Sequence, residues 1–201
     1  MYKVRLLSLL GVFILLFGFT PASDAVVLTF DDIPEVQQNT FGAIGTYGGF
    51  EFHGDNSYDR MDWIDTVGSP WDLGAVSGDF TMLNNYGGNA TIVSSATSDN
   101  FTFNGLWARI WYYTPDRAVT IKGYNNGTEV VSSEYTLTQT WTYLEGWDNI
   151  SIDSLYLGLG NYFLVDDLEI NESAPVPEPV SLLLLGSGLT GLAAFRRKFI
   201  R

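Results

Sequence analysis

Cysteine is absent from this 201-residue chain, and histidine occurs once, at His53. Without thiols there is no disulfide, no thiolate nucleophile and no thiolate metal site. That absence does not assign a compartment, because exported bacterial proteins also lack disulfides. One histidine leaves little from which to build a transition-metal centre or a Ser-His triad. Basic residues are scarce in the middle of the chain. Residues 26 to 174 hold Arg60, Arg109, Arg117 and Lys122 against 21 acidic residues, a net −17 within an overall −13. A surface of that sign repels phosphate backbones, so nucleic acid is excluded as a partner. The same stretch also lacks any run of helical period.

What is present starts with two unusual ends. The N-terminus reads MYKVRLLSLLGVFILLFGFTPASDAVV. Lys3 and Arg5 form a positive head, Leu6 to Phe19 an apolar run of 14 residues, and Ser23-Asp24-Ala25 a cleavage site with small residues at its first and last positions. This predicts a secretory signal peptide over 1–25, cleaved after Ala25. The alternative, a transmembrane anchor, needs about 20 residues.

The C-terminus reads VPEPVSLLLLGSGLTGLAAFRRKFIR. Val180 to Phe195 is an apolar run of 16 residues, followed by Arg196, Arg197, Lys198 and Arg201. Such a run is marginal for a span, and its basic tip belongs on the cytoplasmic side. A buried core helix at the extreme end fits four flanking cations poorly. A GPI signal normally ends in its apolar tail. Residues 173–179 (SAPVPEP) form a proline-rich linker.

Pro177-Glu178-Pro179, the apolar span and the basic tip, in that order and spacing, resemble the PEP-CTERM sorting signal of Gram-negative bacteria. The resemblance implies transient anchoring in the inner membrane, processing at or near Pro177, Glu178 and Pro179 by an exosortase-type membrane protease, and release to the cell surface or an exopolysaccharide matrix. The prolines keep the cleavage site extended and helix-free above the bilayer.

Between the ends, 21 glycines and 15% aromatic residues accompany short alternating stretches with turn signals. Predicted strands are Val26–Phe30, Gly48–His53, Ala90–Val93, Asn100–Phe103, Leu106–Tyr113, Ala118–Tyr124, Thr128–Leu137, Gln139–Leu144, Ile150–Gly158 and Tyr162–Ile170. Asn126-Gly127 between two alternating runs is a strong hairpin signal. The fold class is all-β: a jelly-roll β-sandwich over 26–172, flanked by the signal peptide and a single transmembrane sorting helix over 180–201.

VTIKGYNNGTEV, IDSLYLG and FLVDDLEI resemble the carbohydrate-binding-like or galactose-binding-like β-sandwich found in PEP-CTERM proteins. Gly123-Tyr124-Asn125-Asn126-Gly127 matches its hairpin and Ile152-Asp153 to Leu157 its ID-x-L segment. These motifs are structural, so they imply a fold more than a ligand.

Three chemistries remain open. LTFDDIP and FLVDDLEI place Asp31, Asp32, Asp166 and Asp167 on first and last strands, where hard carboxylate oxygens could hold a structural Ca²⁺. The acids Asp55, Asp59, Asp62, Asp65, Asp72 and Asp79 are numerous enough for a glycosidase pair, although nothing marks two of them as partners. Trp63 and Trp71, in a polar, glycine-rich stretch, are the expected exposed pair for a sugar ring; the other tryptophans are expected to fill or edge the core. The Asn-x-Ser/Thr triplets at Asn89, Asn100, Asn126, Asn149 and Asn171 are chance occurrences in a polar β sequence. The resulting expectation is a non-enzymatic exported surface or matrix protein, associated with exopolysaccharide as an adhesive or carbohydrate-binding module. A glycosidase and a ligand-free structural protein are the alternatives.

Overall fold

Period-two alternation sets which face of each strand goes inside. In Arg117–Asn125, Val119 and Ile121 are buried while Ala118, Thr120, Lys122 and Tyr124 point away. The same rule orders thirteen strands in the computed structural model, which describes residues 25–95, 100–111 and 115–172. Within the described residues there is no helix. The strands are β1 (Ala25–Leu28), β2 (Phe41–Ala43), β3 (Thr46–Tyr47), β4 (Phe50–Gly54), β5 (Asp62–Asp65), β6 (Phe80–Leu83) and β7 (Ala90–Ser94). They continue with β8 (Phe101–Ile110), β9 (Arg117–Asn125), β10 (Thr128–Leu137), β11 (Thr142–Ile152), β12 (Ser154–Gly158) and β13 (Phe163–Glu172).

Two antiparallel sheets result. One runs β11-β8-β13-β6-β5-β2, with β1 also on β13; the other runs β10-β9-β12-β7-β4-β3. The first and last strands pair directly, Leu28 opposite Leu168 and Val26 opposite Ile170. Ala25, the expected cleavage residue, is the first residue of β1 and pairs with Asn171. The expected signal segment up to Asp24, the linker with Pro177, Glu178 and Pro179, and the sorting helix lie outside the described residues.

The sheets close on a single apolar core. Phe50 of β4 meets Phe101 of β8 edge-on, ring centres 5.1 Å apart. Phe103, Ile110, Ile121, Leu157 and Val165 are fully buried in the same cluster. Burying such side chains stabilises the fold by about 1.5–3 kcal/mol each. The Asn126-Gly127 hairpin forms as its sequence requires: both residues take positive φ, 49° and 72°, which a two-residue primed turn demands.

Two expectations are corrected. The runs 100–103 and 106–113 are largely one strand, β8, carried through Asn104-Gly105 by its pairing with β11, while the register with β13 shifts on either side of Gly105. Trp63 is not an exposed loop residue. It lies on β5, is 4% exposed and joins the main core, edge-on to Phe80 with ring centres 5.8 Å apart.

Candidate functional site

The outward side chains of the six-stranded sheet carry a broad groove. On β9 these are Ala118, Thr120, Lys122 and Tyr124; on β12 they are Ser154, Tyr156 and Gly158. The β9–β12 register sets Tyr156 beside Lys122, Ser154 beside Tyr124 and Gly158 beside Thr120. Together with Asn89 and Arg117 they line a groove of about 500 Å³. That volume falls within the roughly 300–1,000 Å³ typical of small-molecule sites.

The groove's wall is held by side-chain amides. Asn84 is fully buried. Its side-chain N–H groups donate to Gly88 O and Gly160 O, both at 2.8 Å, and its Oδ1 accepts the Phe163 N–H at 2.8 Å. Asn89 Oδ1 accepts the Gly160 N–H at 3.0 Å, and Asn161 Oδ1 accepts the Gly88 N–H at 2.7 Å. The turn after β6 and the turn after β12 are thereby locked to each other. Gly158 keeps the floor low. A Cβ there would lie 2.8 Å from Thr120 O and 2.9 Å from the Tyr156 ring, so any side chain would displace that ring or fill the groove.

Charge is distributed unevenly over this face. Lys122 Nζ bonds Glu129 Oε2 at 2.8 Å, and this contact raises the lysine's pKa. The Arg117 guanidinium donates to Asn161 O, but its Nε is buried without a hydrogen-bond partner, and burial lowers its pKa. Burial also raises the Tyr156 pKa, with the Asp55 charge adding to it. Farther along the sheet, His53 lies between Glu51 at 3.4 Å and Asp59 at 3.3 Å, as a surface charge cluster on β4.

The tryptophans separate by sheet and face. Trp63 is inside. Trp71 lies on the opposite, outward face of the seven-stranded sheet, edge-on to Phe41 with ring centres 6.0 Å apart. With Ile64, Leu83, Asn85, Trp111 and Tyr162 these two line a cleft of about 190 Å³. The cleft sits against a small second apolar cluster of Ile64, Leu73, Leu83 and Leu164. Trp107 packs edge-on to Tyr143, Trp141 lies under the Arg109 guanidinium, and Trp147 abuts Phe103. The structure therefore does not bring Trp63 and Trp71 together.

Three of the four aspartates, Asp31, Asp166 and Asp167, hold one loop, residues 76–80, while Asp32 faces Tyr47. Asp166 Oδ2 accepts the Val76 and Ser77 N–H groups at 2.7 and 3.1 Å. Asp31 Oδ1 accepts those of Asp79 and Phe80 at 2.8 and 3.1 Å. Asp167 accepts the Ser77 hydroxyl, and Asp32 the Tyr47 hydroxyl. Among the described residues, no three acidic or histidine side chains gather as a metal site. In this arrangement the acids satisfy loop N–H and hydroxyl groups. The expected glycosidase candidates Asp62 and Asp65 are likewise occupied: Asp62 pairs with Arg60 at 2.7 Å, and Asp65 caps Asn39 and Val67.

The groove was missed in the sequence because its members come from two strands and a distant turn. The available signal was the outward parity of Lys122, Tyr124 and Tyr156.

In fold, the chain is similar to the CBM22-1 xylan-binding domain of Paenibacillus barcinonensis Xyn10C, at 11% identity and a TM-score of 0.43, covering 79% of this chain and 100% of that one. It is similar to TmCBM61, solved with β-1,4-galactotriose, at 14% identity and a TM-score of 0.38, covering 64% and 92%. It is also similar to a CBM4 structure at 17% identity and a TM-score of 0.30, covering 72% and 97%. No curated protein matches the chain in sequence. Residues 175–198 match the PEP-CTERM protein-sorting motif.

Proposed function

We propose that this chain is an exported surface or matrix protein whose β-sandwich binds saccharide in the groove on its six-stranded sheet. The observation that carries the reading is the groove's composition: two tyrosine rings, an amide and charged donors around a glycine floor. Sugar rings offer apolar C–H faces to aromatic rings and hydroxyls to polar groups, so a site of mixed lining suits them. The Trp71 cleft is smaller and lined almost wholly by apolar and aromatic side chains, which suits it less. The sorting motif at 175–198 supports export with transient membrane anchoring, and an exosortase-type protease is the partner that would release the domain toward exopolysaccharide.

A glycan panel probed with the full chain tests the binding reading. Tyr156→Ala should abolish the signal and Trp71→Ala should leave it. Retention of every signal in Tyr156→Ala would sink the groove as the site. Intact mass of the secreted protein tests the processing reading. A mass ending near Pro177 to Pro179 supports it, and a mass that still includes residues 180–201 overturns it.

A further inference from the structure

We infer that the groove on the six-stranded sheet selects negatively charged saccharides, those bearing carboxylate or sulfate groups. The inference rests on the reading of that groove as a saccharide site and names its ligand class.

Residues 26–174 contain four basic and 21 acidic residues. Two of the four, Arg117 and Lys122, line this one groove, and among the described residues no acidic one lines it. A neutral glycan requires neither cation. Elsewhere the strongly negative domain repels anions, which makes a groove walled by cations the place where an anionic chain can approach.

The local bonding points the same way. Among the described residues Arg117 has no carboxylate partner; its guanidinium donates to the Asn161 carbonyl, and its buried Nε finds no acceptor there. Taking a guanidinium out of water without a counter-charge costs free energy, and an arriving anion offsets that cost. Burial alone lowers this arginine's pKa, as expected of a cation without a compensating acid. The planar fork of arginine matches the two oxygens of a carboxylate or sulfate.

The acids near the groove are unevenly placed, and exposed Asp116 immediately precedes Arg117 in the chain. Glu129 on β10 holds Lys122 Nζ at the rim. Glu134 on β10 stands opposite Thr120. Asp55, after β4, raises the pKa of Tyr156. On β4, Glu51 and His53 form their own cluster beyond β7. These acids disfavour an anion near β10 and β4, so the charged group of the ligand belongs at the Arg117 end and the sugar face against Tyr156.

The test is calorimetric binding of the full chain to polygalacturonate and to the same polymer with its carboxylates methyl-esterified. Dextran sulfate against dextran forms a second pair. The expected result is at least about tenfold tighter binding to one or both charged polymers than to its neutral counterpart. The pair showing the preference identifies carboxylate or sulfate as the group read. Arg117→Gln should remove most of the preference, and Lys122→Gln, at a more exposed position, should reduce it by several-fold. Raising NaCl from about 50 to about 500 mM should weaken charged-polymer binding selectively.

Equal affinity for charged and neutral polymers would overturn the charge selection while leaving the saccharide reading intact. So would a preference unmoved in both folded variants, which would put the anion elsewhere. Binding to none of the four polymers would overturn the inference; a glycan-panel signal that survives in Tyr156→Ala separately overturns the groove.

Discussion

Asn84 and Phe163 are joined across 79 residues by one hydrogen bond, Phe163 N–H to Asn84 Oδ1 at 2.8 Å. The same amide donates to Gly88 and Gly160, so a single buried side chain fixes both turns that wall the groove. Each such bond contributes about 1 kcal/mol net, and a buried group left unpaired costs about 1–3 kcal/mol. Asn84→Ala should therefore lower unfolding free energy by about 2–4 kcal/mol in urea denaturation. Asn84→Asp keeps the acceptor but sets a carboxylate oxygen against the Gly88 and Gly160 carbonyls, so at neutral pH it should cost at least as much as Asn84→Ala.

Gly158 gives a prediction on the groove that does not depend on charge. A leucine side chain at 158 occupies the floor beside the Tyr156 ring. Any glycan bound by the full chain should weaken by at least about tenfold in Gly158→Leu, read by calorimetry. A Cβ at 158 lies 2.8 Å from the Thr120 carbonyl oxygen, so β12 must shift slightly, and circular dichroism should confirm that the variant keeps its β fold. An unchanged affinity would mean that the ligand lies elsewhere.

The two tryptophans first expected to act together should separate in their effects. Trp63 is buried between sheets, and Trp63→Ala removes a large core side chain, which typically costs about 3–5 kcal/mol. Trp71 is half-buried on an outer face, and Trp71→Ala should cost less than half as much. Chemical denaturation of both variants checks this, and equal losses would contradict their different burial.

Asp166 should make stability depend on pH. It is fully buried, and desolvation pushes its pKa up to about 7, against the lowering influence of the Ser77, Val76 and Asp167 N–H groups. A carboxyl whose folded pKa is raised binds its proton more tightly when folded. Its contribution is therefore greatest below its unfolded pKa, near 4, and is lost as pH rises through about 7. Thermal midpoints measured from pH 8 down to pH 5 should rise in the native chain. The rise should be smaller in Asp166→Asn, and that difference separates Asp166 from the general relief of acidic repulsion. Identical slopes would remove Asp166 as the cause.

Legibility in the sequence followed the range of the interaction involved. The β9–β10 hairpin was readable because Asn126 and Gly127 carry their own conformational preference. The echo of LTFDD in FLVDD marks the first and last strands, but their direct pairing depends on contacts across the whole domain. The fate of Trp63 was not readable. Its strand reads Asp62-Trp63-Ile64-Asp65, and all four residues are buried, so no solvent-facing parity marks which side Trp63 takes. Asp62 and Asp65 look like surface residues until Arg60 and the N–H groups of Asn39 and Val67 are found to satisfy them.

What the sequence by itself determined is local: the sorting motif, the alternation that makes strands, the turn at Asn126-Gly127 and the excess of acid. Each depends on residues close together in the chain, where spacing and composition carry the physics. The tertiary structure alone decided the groove. Asn89 precedes β7, Arg117 and Lys122 lie on β9 and Tyr156 on β12, and only the antiparallel registers of β7, β12 and β9, with the Asn84 clamp, bring them to one face. Register is set by which apolar faces can be buried together, a property of the whole sandwich that no single segment holds.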